Sequence, residues 1–183
     1  PSVTRINFLD AAADPATLGY MQRNGDVVKY YEGTNALVAS GFFYVTKSAD
    51  EVVNNSTTFQ DDNSLTFSVG ANETWELFLW INYNSSTVAD FKWQLTGPAS
   101  AVADLSASGF SASLGLNNAG NVGLSTAVSG GGAGAIDVAF FAQGRITTAG
   151  TTGSFTLQWA QNTAEVSDTT VRANSSLIAI RVA

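Results

Sequence analysis

Residues 73–97 read ETWELFLWINYNSSTVADFKWQLTG. From Glu73 to Tyr83 the side chains alternate: Trp75, Leu77, Leu79, Ile81 and Tyr83 hold one parity, and Thr74, Glu76, Phe78, Trp80 and Asn82 the other. A period of two sends successive side chains to opposite faces of a strand. The first face is wholly apolar, and the second mixes polar residues with Phe78 and Trp80. This predicts a strand buried on one face and partly covered on the other. After a polar break over Asn84 to Ala89, Phe91, Trp93 and Leu95 alternate with Lys92, Gln94 and Thr96. Gly97-Pro98 stops that second strand, because proline cannot donate to a ladder. The stretch reads as a hairpin at the heart of an antiparallel sandwich.

Composition narrows the chemistry. The 183 residues include no cysteine and no histidine. Disulfides, thiolate sites, the Ser-His-Asp triad and the usual zinc site are therefore excluded. An enzyme here would rest on carboxylates, Lys, Tyr, Ser or Thr. Eight basic residues against fifteen acidic ones give a formal charge of −7, with no basic cluster to attract a phosphate backbone. Nucleic acid is not an expected partner. No run of about 18 apolar residues suggests a membrane-spanning helix, and no basic-then-apolar start marks a signal peptide. Pro1 reads as a start left after removal of an initiator methionine. A chain of this length buries roughly 70% of its unfolded surface and needs no crosslink.

The organisation follows from turn chemistry. Pro1 to Thr17 shows no clear period and reads as an extended arm. Leu18–Arg23 and Asp26–Tyr31 flank Asn24-Gly25, the sequence of a two-residue type I′ hairpin. A strand over Ala36–Thr46 follows. Residues 1–46 are thus an arm with a small β-hairpin, too small to be stable alone. Residues 47–183 form the main β-sandwich. Further strands are predicted over Val52–Phe59, Leu65–Val69, Val122–Val128, Ile136–Thr147 (with a bulge at Gly144), Phe155–Trp159 and Ser176–Val182. Phe110, Ala112, Leu114 and Leu116 also alternate with small residues. Gln60 to Ser64 reads as a turn, and Ser129 to Gly134 as a loop rather than a linker. No helix is expected. About nine or ten strands with Gly-rich turns predict an all-β, antiparallel, jelly-roll-like sandwich.

Each candidate site has a plainer explanation. Asp61, Asp62 and Asn63, with Asp50 and Glu51, offer oxygen atoms to calcium. They lack EF-hand spacing, and Asp and Asn are ordinary turn formers. Glu73, Glu76, Asp90 and Asp137 could supply a glycosidase pair, but fifteen acids provide pairs in any β protein. Trp75, Trp93 and Trp159 lie on apolar parities and belong to the core; Trp80 is the surface or interface aromatic. Asn-x-Ser/Thr triplets begin at Asn54, Asn55, Asn72, Asn84 and Asn174, as expected of a chain this rich in Asn, Ser and Thr. No catalytic, metal or cofactor site is assigned.

DNSLTFSVGANETWELFLWINYNSSTVADFKWQLTGPA, then GRITTAGTTGSFTLQWAQNT and TTVRANSSLIAIRV, resembles a β domain of tailed-bacteriophage virion structural proteins. The likeness runs from Asp62 to Val182. LGYMQRNGDVVKYYEGTNALV resembles the attachment segments that precede such domains. The resemblance implies a non-enzymatic capsid decoration protein that binds the major capsid protein lattice on the virion surface, stabilises the head and is trimeric. It leaves open a fibre adhesin for host glycans. Ile6, Phe8, Leu9, Tyr20, Tyr30 and Tyr31 are the expected attachment or oligomer contacts.

Overall fold

The computed structural model describes the backbone of residues 20–24, 27–32, 35–38, 41–110 and 116–183, and the side chains of 41–110 and 118–183. Strands β1 (Tyr20–Asn24), β2 (Val27–Glu32) and β3 (Asn35–Val38) form an antiparallel sheet in that order. Asn24 pairs with Val27, so the first hairpin closes one residue later than its Asn24-Gly25 signal suggests.

The sandwich begins at β4 (Phe42–Thr46) and continues through β5 (Glu51–Asn54), β6 (Gln60–Val69), β7 (Thr74–Asn84) and β8 (Phe91–Thr96). A hairpin of β9 (Val102–Phe110) and β10 (Leu116–Val122) follows, then β11 (Val128–Gly130) and β12 (Val138–Thr147). The last strands are β13 (Gly153–Gln161), β14 (Asp168–Val171) and β15 (Ser176–Arg181). No helix occurs among the described residues.

One sheet contains the run β4-β15-β7-β12, and the other is β11-β8-β13-β6. Counting only those eight strands along the chain, the first sheet takes the first, eighth, third and sixth, and the second takes the fifth, fourth, seventh and second. That is the jelly-roll wrap, in which the chain swings between two antiparallel sheets. Two additions widen the first sheet. The β9–β10 hairpin continues it beyond β12, and β5–β14 lies beside the end of β7.

The two sheets meet through aromatic side chains. The alternating residues Trp75, Leu77, Leu79, Ile81 and Tyr83 are all buried, and so are Phe91, Trp93, Leu95, Phe155, Leu157 and Trp159. They form one cluster, as their shared parity predicts. Across the sandwich, Tyr83 stacks on Phe91 with centroids 4.2 Å apart, and Phe43 on Phe67 at 5.3 Å. Full burial leaves the Tyr83 hydroxyl needing a partner. It donates to the Gly131 carbonyl at 2.7 Å. Burial, with Asp90 nearby, raises that phenol above its ordinary pKa.

The central hairpin expectation fails. β7 and β8 carry the predicted faces but lie in different sheets and do not pair. Both apolar faces are satisfied by packing against each other across the core, and residues 85–90 form the corner between the sheets. Asp90 takes φ 51° there, its amide donating to Ser86 O at 3.0 Å and its carbonyl accepting from Ser85 Oγ at 2.8 Å. The Gly-rich segment, read as a loop over Ser129 to Gly134, is a strand in its first two residues, Ser129 and Gly130 closing β11, and a packed loop beyond them: a Cβ on Gly132 would lie 2.0 Å from Ser86 O. Gly144 is no bulge. β12 keeps unbroken register with β7 and β9 through it, but a Cβ there would lie 2.2 Å from Asp104 O, at φ 150°.

Further expectations are corrected. Val122–Val128, read as a strand, is the end of β10, a non-strand segment over 123–127 and the start of β11. Of the alternating residues Phe110 to Leu116, Ala112 and Leu114 lie outside the described residues. The single strand over Ala36–Thr46 is two strands in separate sheets. The strand over Val52–Phe59 stops at Asn54. Gln60–Ser64, read as a turn, lies inside β6, where pairing with β13 shifts between Thr66 and Asp61. The turn signal is real, because Asp62 Oδ1 accepts the Ser64 and Leu65 amides at 2.9 Å each. It makes an irregularity within the strand instead of an end. That irregularity buries Asp62, whose Oδ2 accepts from Lys47 Nζ at 2.9 Å and Trp159 Nε1 at 3.2 Å. Lys47 is itself buried and also pairs with Glu51.

A candidate attachment surface on the larger sheet

The sandwich has two outer faces of opposite chemistry. On the larger sheet, strand register sets outward residues side by side. Tyr44 is opposite Ile178, and Ile178 opposite Phe78. Phe42 is opposite Ile180, while Trp80 is flanked by Ser176 and Phe141. An apolar strip therefore crosses four adjacent strands, β4, β15, β7 and β12. Its side chains remain in solvent: Phe42 is 68% exposed, Tyr44 and Phe141 57%, Trp80 44%, Phe78 43% and Ile180 40%.

The strip has a polar margin. Glu76 accepts from Arg145 Nε at 2.9 Å, and Arg145 pairs in register with Asp104. Beyond Phe141, a shallow hollow of about 560 Å³ lies between β9, β10 and β12. Ser106, Ser108, Asn118, Phe141 and Gln143 line it.

The smaller sheet presents hydroxyls and amides instead. Thr66 and Thr156 share a hydrogen bond at 2.8 Å, Ser68 and Ser154 one at 3.3 Å, and Gln94 Nε2 donates to Gln158 Oε1 at 2.6 Å. Such ladders satisfy each other laterally and leave a wettable surface, with Lys92 and Asp61 among its outward residues.

The acidic residues are occupied by protein partners. Lys47 Nζ sits between Glu51 and Asp62, where the calcium reading would put a cation. Asp61 accepts from Gln158 Nε2 at 2.6 Å, and Asp50 from Arg172 Nη1 at 2.8 Å. The Ala173 amide, then the Arg172 side chain, hold the Asp50 carboxyl below its ordinary pKa. Asp137 also binds Arg172, at 3.0 Å. Glu73 accepts the Gly70 amide at 2.7 Å and pairs with Arg181 at 3.0 Å; Asp90 accepts the Gly132 amide at 2.8 Å. Among the described residues, no group of three or more acidic, His or Cys side chains could hold a metal ion.

No family model matches the chain. No curated protein matches it either. Among solved structures it is similar to a chain of infectious bursal disease virus, Gt strain, at 13% identity and TM-score 0.24, covering 93% of this chain and 51% of that one. For the VP2 subviral particle of the same virus the identity is 8% and the TM-score 0.22, with 86% and 42% covered. The chain thus spans about half the length of these structures or less. TM-scores this low fall short of a common fold, so the surface is read from this chain's own residues.

Sequence reasoning located part of that surface. Trp80 and Phe78 stand on the mixed parity of β7, and both are exposed. Phe42, Tyr44, Phe141, Ile178 and Ile180 were missed as a group, because only strand order brings them together. Of the expected contacts, Ile6, Phe8 and Leu9 lie outside the described residues. Tyr20 and Tyr31 are paired in register between β1 and β2, as are Tyr30 and Met21.

Proposed function

We propose that this chain is a virion structural protein: a capsid decoration protein that binds the outer surface of a tailed-phage head and stabilises it. One observation carries the reading. A jelly roll with a hydroxyl-rich face on one sheet and an aromatic strip on the other is built to be covered on one side. Monomers in solvent rarely expose contiguous apolar patches of this width, and those that do mark interaction surfaces. The resemblance over Asp62 to Val182 supports the same reading, as does the engagement of the acids in structural pairs. The chain is not an enzyme on this account, and hydrolysis assays on glycans should be blank. The arm, with Ile6, Phe8 and Leu9, reaches the major capsid protein lattice, while the hydroxyl-rich sheet faces solvent. Imaging of purified particles tests this. Density for the sandwich on the outer head surface is expected; its absence from particles overturns the proposal.

A second reading, a fibre adhesin for host glycans, has one feature in its favour. The hollow beside Phe141 combines a ring with hydroxyl and amide groups, the chemistry that recognises sugar faces and edges. Saturable glycan binding lost in Phe141→Ala, with the chain located on a fibre, would favour it over decoration.

A further inference from the structure

We infer that the aromatic strip on the larger sheet is covered by a second copy of the same chain, packed face to face about a twofold axis. The inference rests on the reading of this face as an assembly surface and names its occupant.

Area comes first. A large aromatic side chain presents on the order of 200 Å². At their observed exposures, Phe42, Tyr44, Phe78, Trp80, Phe141 and Ile180 therefore offer roughly 600 Å² per copy. Two copies would bury roughly 1,200 Å², the lower edge of a specific interface before any margin is counted. The layout also fits: an apolar centre crossed by aromatic rings, with Glu76, Arg145, Asp104, Ser106 and Gln143 at its margin.

Symmetry comes second. A heterologous contact needs a second, complementary surface on the same chain. Among the described residues, the other exposed large apolar side chains are Val52, Val88, Val102, Ile136, Val166 and Val182. None is aromatic, and they sit on loops, strand ends and the short β5. Among the described surfaces the strip's best complement is the strip itself, which makes the contact isologous. Sheets that pack in this way align at about −30°, with side chains interdigitating. A trimer, implied by the resemblance, would have to use another surface.

The absence of cysteine gives a clean test on the full chain. Ile178 lies at the centre of the strip and meets its own copy near the axis, whereas Gln94 lies on the opposite sheet. Under mild oxidation, Ile178→Cys should crosslink to a dimer while Gln94→Cys does not. Sedimentation of the unmodified chain should show a concentration-dependent dimer. Phe78→Ser and Trp80→Ser should each weaken it by roughly 30-fold or more, as for central aromatic anchors, with the monomer fold retained because both side chains lie outside the buried core. Monomers at every concentration, a trimer indifferent to those substitutions, or equal crosslinking at Gln94 would overturn the proposal. A monomeric chain that still decorates heads removes the pairing and leaves the virion reading standing. A dimer that never binds heads does the reverse.

Discussion

The indole of Trp93 on β8 lies almost parallel to the ring of Phe140 on β12, with centroids 4.7 Å apart and planes inclined by 9°. The two residues belong to different sheets, so this stack is a tie across the sandwich. Phe91 joins it at 5.7 Å from Phe140. Trp93→Ala would open a void where both sheets lose contact, at a cost of about 3–5 kcal/mol. Urea denaturation measures this directly. A midpoint equal to wild type would remove Trp93 from the core.

The buried cation is a second weak point. Lys47 and Asp62 are both only 2% exposed, and they are joined at 2.9 Å. Removing one member of a buried pair strands the other's charge, at a cost of roughly 3–5 kcal/mol. Lys47→Met should therefore destabilise strongly although it adds apolar contact. The same denaturant titration decides it, and a change within error would show that the acids do not need this lysine.

Acid should weaken the clip at Asp50. Its carboxyl accepts the Ala173 amide at 2.8 Å and pairs with Arg172, so its folded pKa lies below the unfolded one. A depressed acid stabilises the fold above its unfolded pKa and ceases to do so as pH falls through the folded value. Asp50→Asn should thus melt below wild type at neutral pH, and the gap should close below about pH 4. The group is half exposed, so the gap should be small and shrink with salt. A gap that widened in acid would reverse the assignment.

The sequence revealed strands where side-chain contrast was strong. On β7, β8 and β13 the inward residues are large and the outward ones mostly polar, and their cluster was legible by parity alone. β9 was missed because its inward face, Leu105 and Ala107, offers one large apolar side chain against Asp104, Ser106 and Ser108 outward, too little to mark an alternation. Pairing was less legible still. β7 and β8 looked like a hairpin because apolar periodicity identifies a buried face without saying which sheet it belongs to. The aromatic strip was hidden for a related reason: Phe42 and Ile180 are neighbours only because the first and last strands of the sandwich pair.

Deletion of Pro1 to Thr17 separates attachment from folding. Among the described residues the sandwich core draws on Val53 to Ala179, and the shortened chain should fold with a nearly unchanged melting temperature. Apolar area from Ile6, Phe8 and Leu9 is worth about 25 cal/mol per Å² when buried on a partner, less the cost of ordering the arm. Particles assembled with the shortened chain should lack it. Full occupancy would show that the arm is not the anchor and leave attachment to the sandwich alone.

The central claim is tested most directly by adding the purified full chain to heads isolated without it. Saturable binding to the outer surface is expected, together with a rise in the temperature at which the heads disrupt. Heads that neither bind the chain nor gain thermal resistance at saturating concentrations would contradict a decoration role.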